Sequence, residues 1–227
     1  MMLETRATII IPAYNEEKNI AATLKSLEEL GIPADIIVVD DGSRDRTAAV
    51  AREAGARVIQ LQANMGKGRA MEEGLKEAAG PVVAFLDADL GETAVQAKKL
   101  LEPVMAGKAD LAVARWPDGK GRSGFGLAQG LARWGIKKLT GFGCSSPLSG
   151  QRALRKDFLT PLEGGFGVEV GMTVDALRKG ARMQEIPVDM RHRATSRDFS
   201  GFKHRGRQFC CVAGVLAKRF LGGVPWK

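Results

Sequence analysis

Residues 7–16 read ATIIIPAYNE, and residues 35–43 read DIIVVDDGS. Each stretch begins with β-branched apolar residues and ends in polar residues, which is typical of a strand buried in a parallel sheet. Four apolar residues at helical spacing and a glycine stop lie between the two stretches: Ile20, Leu24, Leu27, Leu30 and Gly31. The order of strand, helix and strand predicts a βαβ unit.

The same alternation continues through the first half of the chain. Strands are predicted at residues 7–11, 35–39, 56–61, 82–86 and 110–114. Helices are predicted near residues 46–54, 67–79 and 94–106. After Trp116 the sequence is glycine-rich over residues 119–143, and a further strand pattern follows at residues 182–188. We expect an α/β fold with a Rossmann-like, mostly parallel sheet flanked by helices.

The end of the chain has a different character. Four apolar residues form one stripe of a predicted helix, namely Phe209, Val212, Leu216 and Phe220. Five basic residues flank this stripe, namely Lys203, Arg205, Arg207, Lys218 and Arg219. The pattern predicts a main domain over residues 1–195 and a basic amphipathic helical extension over residues 196–227.

Composition limits the class of protein. The chain has 227 residues, of which 44% are hydrophobic, and this is enough for one full core. No run approaches the roughly 18 apolar residues of a membrane span, and no secretory leader is recognisable. The three cysteines form neither a metal motif nor an even disulfide set. We expect a cytoplasmic protein, with a peripheral position at the inner membrane face as an option.

The net charge of +8 is unevenly distributed. Residues 1–110 carry 13 Lys and Arg against 18 Asp and Glu, whereas residues 111–227 carry 21 against 8. A basic second half favours an anionic partner, either a phosphorylated acceptor or an anionic membrane surface, over a merely solvated face. Nucleic acid is disfavoured because the basic residues are not interleaved with stacking aromatics.

Polar blocks follow four of the predicted strands. In open α/β sheets, ligands bind beyond the carboxyl ends of the strands, so these blocks are where chemistry is expected. They are Pro12-Ala13-Tyr14-Asn15-Glu16, Asp40-Asp41-Gly42-Ser43, Asn64-Met65-Gly66-Lys67-Gly68 and Asp87-Ala88-Asp89.

Two of these blocks indicate a metal and a phosphate. Asp87 and Asp89 at the end of a buried strand would repel each other without a cation, and carboxylate oxygens are ligands for Mg²⁺ or Mn²⁺. Lys67 lies among glycines near a helix start, where backbone N–H groups and a cation can meet phosphate oxygens. A solvated surface lysine is the alternative.

Together with Ser149-Gly150-Gln151-Arg152, these blocks resemble the family 2 glycosyltransferases with a GT-A fold. Within that family the chain is most similar to polyprenyl-phosphate sugar synthases of the dolichol-phosphate mannosyltransferase type. The resemblance covers roughly residues 7–193.

The resemblance implies roles for individual residues. The nucleotide-sugar contacts would be Pro12, Ala13, Tyr14, Glu16, Asp41, Lys67, Asp87 and Ala88. The metal ligands would be Asp87 and Asp89, with Glu92 or His192 completing the shell, because Gly91 stands where relatives often have a ligating Gln. Glu169 would orient acceptor hydroxyls or act as a base, and a helix N-terminal acid is the alternative.

The implied reaction transfers a hexose from a nucleotide-diphosphate sugar of the GDP-mannose or UDP-glucose type to a polyprenyl phosphate. Catalysis is expected from Lys67, Asp89 and Glu169. The acceptor phosphate is expected to bind Arg122, Arg133 and Arg152. Two alternatives stay open: a soluble phosphorylated acceptor such as phosphoglycerate, and a catalytically silent nucleotide-sugar binding protein.

Overall fold

The structure, a computed structural model, describes residues 6–116, 126–163, 165, 167–191 and 199–222. For residues 199–205 and 207 it describes the backbone alone. The strands are β1 Ala7–Ala13, β2 Ala34–Asp40, β3 Arg57–Gln60, β4 Val82–Phe85, β5 Leu111–Arg115, β6 Arg152–Arg155 and β7 Met183–Pro187. The helices are α1 Ile20–Glu28, α2 Thr47–Glu53, α3 Lys67–Lys76, α4 Ala97–Met105, α5 Leu127–Thr140, α6 Val168–Arg178 and α7 Phe199–Leu221.

Seven strands form one sheet in the order β3-β2-β1-β4-β6-β5-β7. All neighbouring pairs are parallel except those of β6, which runs antiparallel to both β4 and β5. The predicted α/β fold with a mostly parallel sheet is confirmed. The helix expected near residues 94–106 begins as a 3₁₀ turn over Gly91–Gln96 and becomes α-helical only at Ala97.

Alternate residues of the central strands feed two hydrophobic cores, one on each face of the sheet. Ile9 and Ile11 of β1 pack with apolar residues of α1 and α4. Ile10 of the same strand packs on the other face with residues of α3, α5, α6 and α7. The β-branched runs of the sequence therefore become strands covered by helices on both faces.

Helix α5 and strand β6 are elements that the sequence patterns do not indicate. Gly126 and Gly141, both with a left-handed backbone, bracket α5. Within α5, a Cβ at Gly135 would lie 2.4 Å from a methyl carbon of Leu216 on α7, so glycine permits a close helix crossing. Part of the glycine-rich stretch is thus a helix, in which Gly126 and Gly141 cap the ends and Gly135 allows close packing.

The C-terminal helix α7 shares the core of the sheet. Val212 and Leu216 are buried in the same cluster as residues of α5 and α6, whereas Phe209 and Phe220 are 40% and 44% exposed. The predicted stripe is therefore buried in its middle and exposed at its two ends. The boundary expected at 195/196 lies outside the described residues. Within the described ranges, none of the helices combines the length and apolar character that crossing a bilayer requires.

Candidate active site

The candidate site lies where β1, β2 and β4 end. The chain passes from β1 to β2 on one side and reaches β4 on the other, so this edge is the topological switch point of the sheet. Because β6 runs in the opposite direction, the residues that precede it, Gly150 and Gln151, come to the same edge. Residues from both halves of the chain therefore meet at this edge.

Asp87, directly after β4, is held by two side chains from distant parts of the chain. The ammonium of Lys67 donates to Asp87 Oδ1 at 2.7 Å, and the amide of Gln151 donates to Asp87 Oδ2 at 2.6 Å. Charge-assisted hydrogen bonds of this kind fix a carboxylate in one orientation. The sequence places Asp87 and Lys67 at this edge of the sheet, and the ion pair between them is an additional finding.

Lys67 also lies 3.2 Å from Glu169 Oε1, in the first turn of α6. The side chain of Lys67 is about one-third exposed, whereas that of Glu169 is only 10% exposed. Burial alone would lower the pKa of Lys67, but the charges of Asp87 and Glu169 outweigh it and raise the pKa above its usual value. Lys67 is therefore a permanent cation between two carboxylates.

The backbone at Gly150 lies directly against Lys67 and Asp87. A Cβ at this position would lie 2.6 Å from Lys67 Nζ and 3.1 Å from both carboxylate oxygens of Asp87. The nearest of these atoms, Lys67 Nζ, is the end of a flexible side chain, so a larger residue at position 150 would shift the lysine. Glycine at 150 thus lets the chain approach the ion pair closely.

Asp41 positions the loop that carries Lys67. Its carboxylate accepts hydrogen bonds from the backbone N–H groups of Met65 and Gly66, both at 2.8 Å. Gly66 has φ +90° and precedes α3, which starts at Lys67. Asp41 is 4% exposed, so its observed role is to hold this loop, and the predicted nucleoside contact remains a proposal.

Two hydrogen bonds join the loop after β1 to the segment after β2. Ser43 Oγ accepts from the N–H of Asn15 at 2.9 Å, and Thr47 Oγ1 accepts from the N–H of Glu16 at 2.8 Å. Asn15 adopts φ +56°, a left-handed conformation that asparagine tolerates. Tyr14, in the loop after β1, is 39% exposed at this edge of the sheet.

The remaining predicted donor residues lie along this edge. Ala13 is buried, Pro12 is half-buried, and Glu16 accepts from the Asn19 side-chain amide at 2.6 Å. An open depression beside them is lined by residues at and just beyond the ends of β2 and β3: Gly42, Ser43, Gln60, Leu61 and Gln62.

The turn Asp87-Ala88-Asp89 is fastened to α1 through Thr23. The Thr23 hydroxyl donates to the carbonyl of Ala88 at 2.8 Å and accepts from the N–H of Gly91 at 2.9 Å. Gly91 has φ +53°, which favours glycine over residues that carry a side chain. The left-handed backbone of the turn therefore explains why glycine occupies position 91.

The donor chemistry of this turn suits a hard divalent cation. Among the described residues, no group of three His, Cys, Asp or Glu is arranged to hold a metal ion by itself. Mg²⁺ in nucleotide sites is commonly bound by one or two carboxylates together with phosphate oxygens, and Asp87 with Asp89 supplies that number. Asp89 is partly exposed after β4, and His192 lies outside the described residues.

The three arginines expected at an acceptor phosphate are placed differently. Arg152 is fully buried, and it donates to the carbonyl of Glu169 at 2.9 Å and to Thr173 Oγ1 at 3.1 Å. It supports α6 from inside, and its burial argues against a contact with an acceptor phosphate. Arg133 is exposed and donates to the carbonyl of Ser145. Arg122 lies outside the described residues.

Several supporting residues were not singled out by sequence reasoning. The resemblance places the Ser149–Arg152 motif near the donor or acceptor phosphates, but it does not indicate the hydrogen bond from Gln151 to Asp87. Thr23 lies within a helix where nothing local signals its two contacts. Glu185 on β7 accepts the backbone N–H groups of Ser145 and Ser146 at 2.9 and 2.8 Å. Burial and the charge of Glu185 raise the pKa of Cys144 to about 12, so this thiol stays protonated.

Comparison with known proteins identifies the family. The profile described as Glycosyl transferase family 2 matches residues 8–150, which is more than half of the chain. The chain belongs to glycosyl transferase family 2. A relative described as Glycosyltransferase AglJ from Haloferax volcanii is 32% identical over 190 residues, covering 79% of this chain and 61% of that protein.

Other relatives of this family 2 member share shorter or less similar stretches. A protein of Methanocaldococcus jannaschii, MJ1222, is 28% identical over 193 residues, with 79% of each chain covered. A 4,4'-diaponeurosporenoate glycosyltransferase of Staphylococcus aureus is 44% identical over 88 residues, covering 37% of this chain and 24% of that protein. The chain thus spans less than two thirds of the AglJ and staphylococcal proteins.

Similar solved structures confirm the GT-A fold of this family 2 member. Glucosyl-3-phosphoglycerate synthase of Mycobacterium tuberculosis, in complex with Mn²⁺, UDP and glucosyl-3-phosphoglycerate, has a TM-score of 0.80 at 26% identity. The match covers 98% of this chain and 82% of that one. The same enzyme with Mn²⁺, UDP-glucose and phosphoglyceric acid gives 0.79 at 27% identity.

Proposed function

We propose that the chain transfers a hexose from a nucleotide-diphosphate sugar to a phosphorylated acceptor, with a divalent cation. The observation that carries the proposal is the ammonium of Lys67 held between Asp87 and Glu169 at the switch point of the sheet. This edge belongs to a fold that, in glucosyl-3-phosphoglycerate synthase, is described with Mn²⁺, UDP-glucose and phosphoglyceric acid.

On the donor side, the proposal uses the loops that meet at this edge. The nucleoside would contact Pro12–Tyr14 and Glu16, with Asp41 beside them. Asp87 and Asp89 would hold the cation, and His192 is the proposed additional protein ligand. The bound cation would neutralise charge on the leaving nucleoside diphosphate.

Lys67 is proposed to stabilise the same leaving group. Its position at the start of α3 places a fixed positive charge at the N-terminal end of that helix, where anionic groups are favoured. Charge that develops on the diphosphate would be met by a cation already oriented by Asp87, so little reorganisation is needed during the reaction.

On the acceptor side, Glu169 is proposed to orient the attacking hydroxyl and to accept its proton. Its carboxylate lies on the other side of Lys67 from Asp87, and the buried Arg152 holds its backbone. A soluble phosphorylated acceptor attacks through a hydroxyl and needs such a base. This requirement favours the phosphoglycerate-like acceptor over a polyprenyl phosphate.

A polyprenyl phosphate is the second candidate acceptor, and the basic character of α5 and α7 is the observation that favours it. Its attacking oxygen is already anionic, so Glu169 would be dispensable for proton transfer. The dolichol-phosphate mannosyltransferase type of activity belongs to this version of the proposal.

The test is sugar transfer from labelled UDP-glucose and GDP-mannose with Mn²⁺ or Mg²⁺, offering phosphoglycerate and a polyprenyl phosphate in parallel. Asp89→Asn is expected to lower transfer by roughly 100-fold through lost cation affinity. Asp35→Asn is the matched control, because Asp35 lies at the opposite end of β2 in an exposed ion pair with Arg6.

Label in a water-soluble product, lost in Asp89→Asn and kept in Asp35→Asn, would support the proposal. Label that extracts into organic solvent would promote the polyprenyl acceptor. Metal-dependent nucleotide binding without transfer from either donor would reject both and indicate a catalytically silent binding protein.

A further inference from the structure

Helices α5 and α7 carry most of the exposed apolar side chains of the described structure. Trp134 on α5 is 57% exposed and Phe220 on α7 is 44% exposed, and their ring centroids lie 5.6 Å apart. We define the α5–α7 surface by its apolar and basic exposed residues: Leu127, Trp134, Lys137, Lys138, Phe209, Phe220 and Leu221.

These exposed apolar residues do not belong to the hydrophobic core of the protein. The inner faces of the two helices already pack together through Gly135 and Leu216, with Val212 buried beside them. Trp134 and Phe220 extend outward from the same helix pair and shield each other only in part. An exposed aromatic cluster of this kind indicates an interaction site rather than an incomplete core.

The charge of the two helices is of one sign. Their sequences contain no Asp or Glu. They contain eight basic residues, namely Arg133, Lys137, Lys138, Lys203, Arg205, Arg207, Lys218 and Arg219. Among the described side chains, Arg219 is paired with Asp175, and Lys218 lies 3.8 Å from Glu163. Lys137 and Lys138 are exposed beside Trp134.

We propose that the α5–α7 surface binds an anionic phospholipid bilayer. Tryptophan and phenylalanine side chains insert at the boundary of headgroups and acyl chains, while lysines on the same face contact anionic headgroups. A second copy of this chain is disfavoured as the occupant, because symmetric pairing would bring two acid-free basic faces together. The proposal is independent of which acceptor the active site uses.

Helices α5 and α7 each contact a segment that flanks the active site. Arg133 on α5 donates to the carbonyl of Ser145, in the loop that leads to Gln151. Gly167, two residues before Glu169, packs so closely against Val215 of α7 that a Cβ there would lie 2.6 Å from its methyl carbon. Binding to a bilayer through α5 and α7 would therefore act on segments that flank the active site.

The test is sedimentation of the full chain with vesicles of phosphatidylcholine alone, or with phosphatidylglycerol added. We expect binding to the anionic vesicles that weakens as salt is raised. Lys137→Gln with Lys138→Gln should weaken it about 30-fold, since each lysine near an anionic surface contributes about a fivefold factor in affinity. Trp134→Ala should weaken binding without making it less sensitive to salt.

The matched control is Lys98→Gln with Lys99→Gln on α4, an exposed lysine pair on the other face of the sheet. This variant has the same change in charge and should bind as the wild type does. Equal loss in both double variants would overturn the proposal, since it would reflect net charge alone. Absent vesicle binding would also overturn it, as would a dimer that Trp134→Ala dissociates while vesicle binding is unaffected.

Discussion

Replacement of Arg219 by leucine tests whether α7 belongs to the folding unit of the sheet. The Arg219 guanidinium donates to Asp175 Oδ1 at 2.8 Å and to Glu163 at 3.0 Å, and it also contacts Asp175 Oδ2. Arg219 and Asp175 are only 7% and 4% exposed. Although burial opposes it, pairing with Asp175 raises the pKa of Arg219, so the charge is fixed.

Removal of one partner of a buried pair costs about 3–5 kcal/mol, because the other charge stays buried. Asp175 keeps a hydrogen bond from Thr160 at 3.0 Å, so we expect the lower end, about 3 kcal/mol. With a urea m-value near 3 kcal/mol/M, the unfolding midpoint of Arg219→Leu should fall by about 1 M. Urea unfolding followed by circular dichroism measures this shift.

Lys218→Leu is the matched control, because Lys218 is adjacent, 72% exposed and only 3.8 Å from Glu163. It should change the free energy of unfolding by less than about 1 kcal/mol. The double variant Asp175→Leu with Arg219→Leu should recover at least half of the loss, since an apolar pair needs no compensation. A single variant as stable as Lys218→Leu, or a double variant no better than the single, would refute the reasoning.

Two further predictions concern pH and the active site. Hydrogen bonds and charge from Arg182 lower the pKa of Asp110 from 3.8 to about 2, so the folded state gains roughly 1–2 kcal/mol above pH 4 that is lost as pH falls toward 2. Asp110→Asn should remove this dependence in unfolding midpoints measured across that range, and an unchanged acid dependence would contradict the assignment. Gly150→Ala should lower kcat/KM for sugar transfer about 10- to 100-fold by displacing Lys67, with the fold intact. Gly130→Ala, which meets nothing within 4 Å, is the control, and equal activity of the two variants would count against the proposed role of Lys67.

The sequence predicts the parallel part of the fold because its signals are local. β-branched runs, helical spacing and glycine stops each lie within about ten residues, and they indicate β1 to β5 and β7 with ends that differ by one or two residues. Helix α5 was not indicated because its glycines resemble loop punctuation, whereas Gly135 is needed for packing against Leu216. That requirement comes from α7, which is distant in sequence.

The site was predicted in part for the same reason. Residues that follow parallel strands are expected to meet, and Lys67 and Asp87 do come together. Glu169, which only the family resemblance indicates, lies beside them. Arg152 was assigned to an acceptor phosphate because the four-residue strand β6 was not recognised. Once Arg152 is the first residue of a strand inside the sheet, its guanidinium is directed to backbone carbonyls of buried segments.

The reversed strand β6 also constrains the order of assembly while the chain is being synthesised. Strands β1 to β4 form a contiguous parallel group as soon as residue 85 has emerged. Strand β5 has no place beside this group, because its inner neighbour is β6, which is made after α5. Residues 111–115 must therefore wait, unpaired, for residues 152–155. A ribosome-bound chain is most exposed to aggregation and to chaperone capture during that interval.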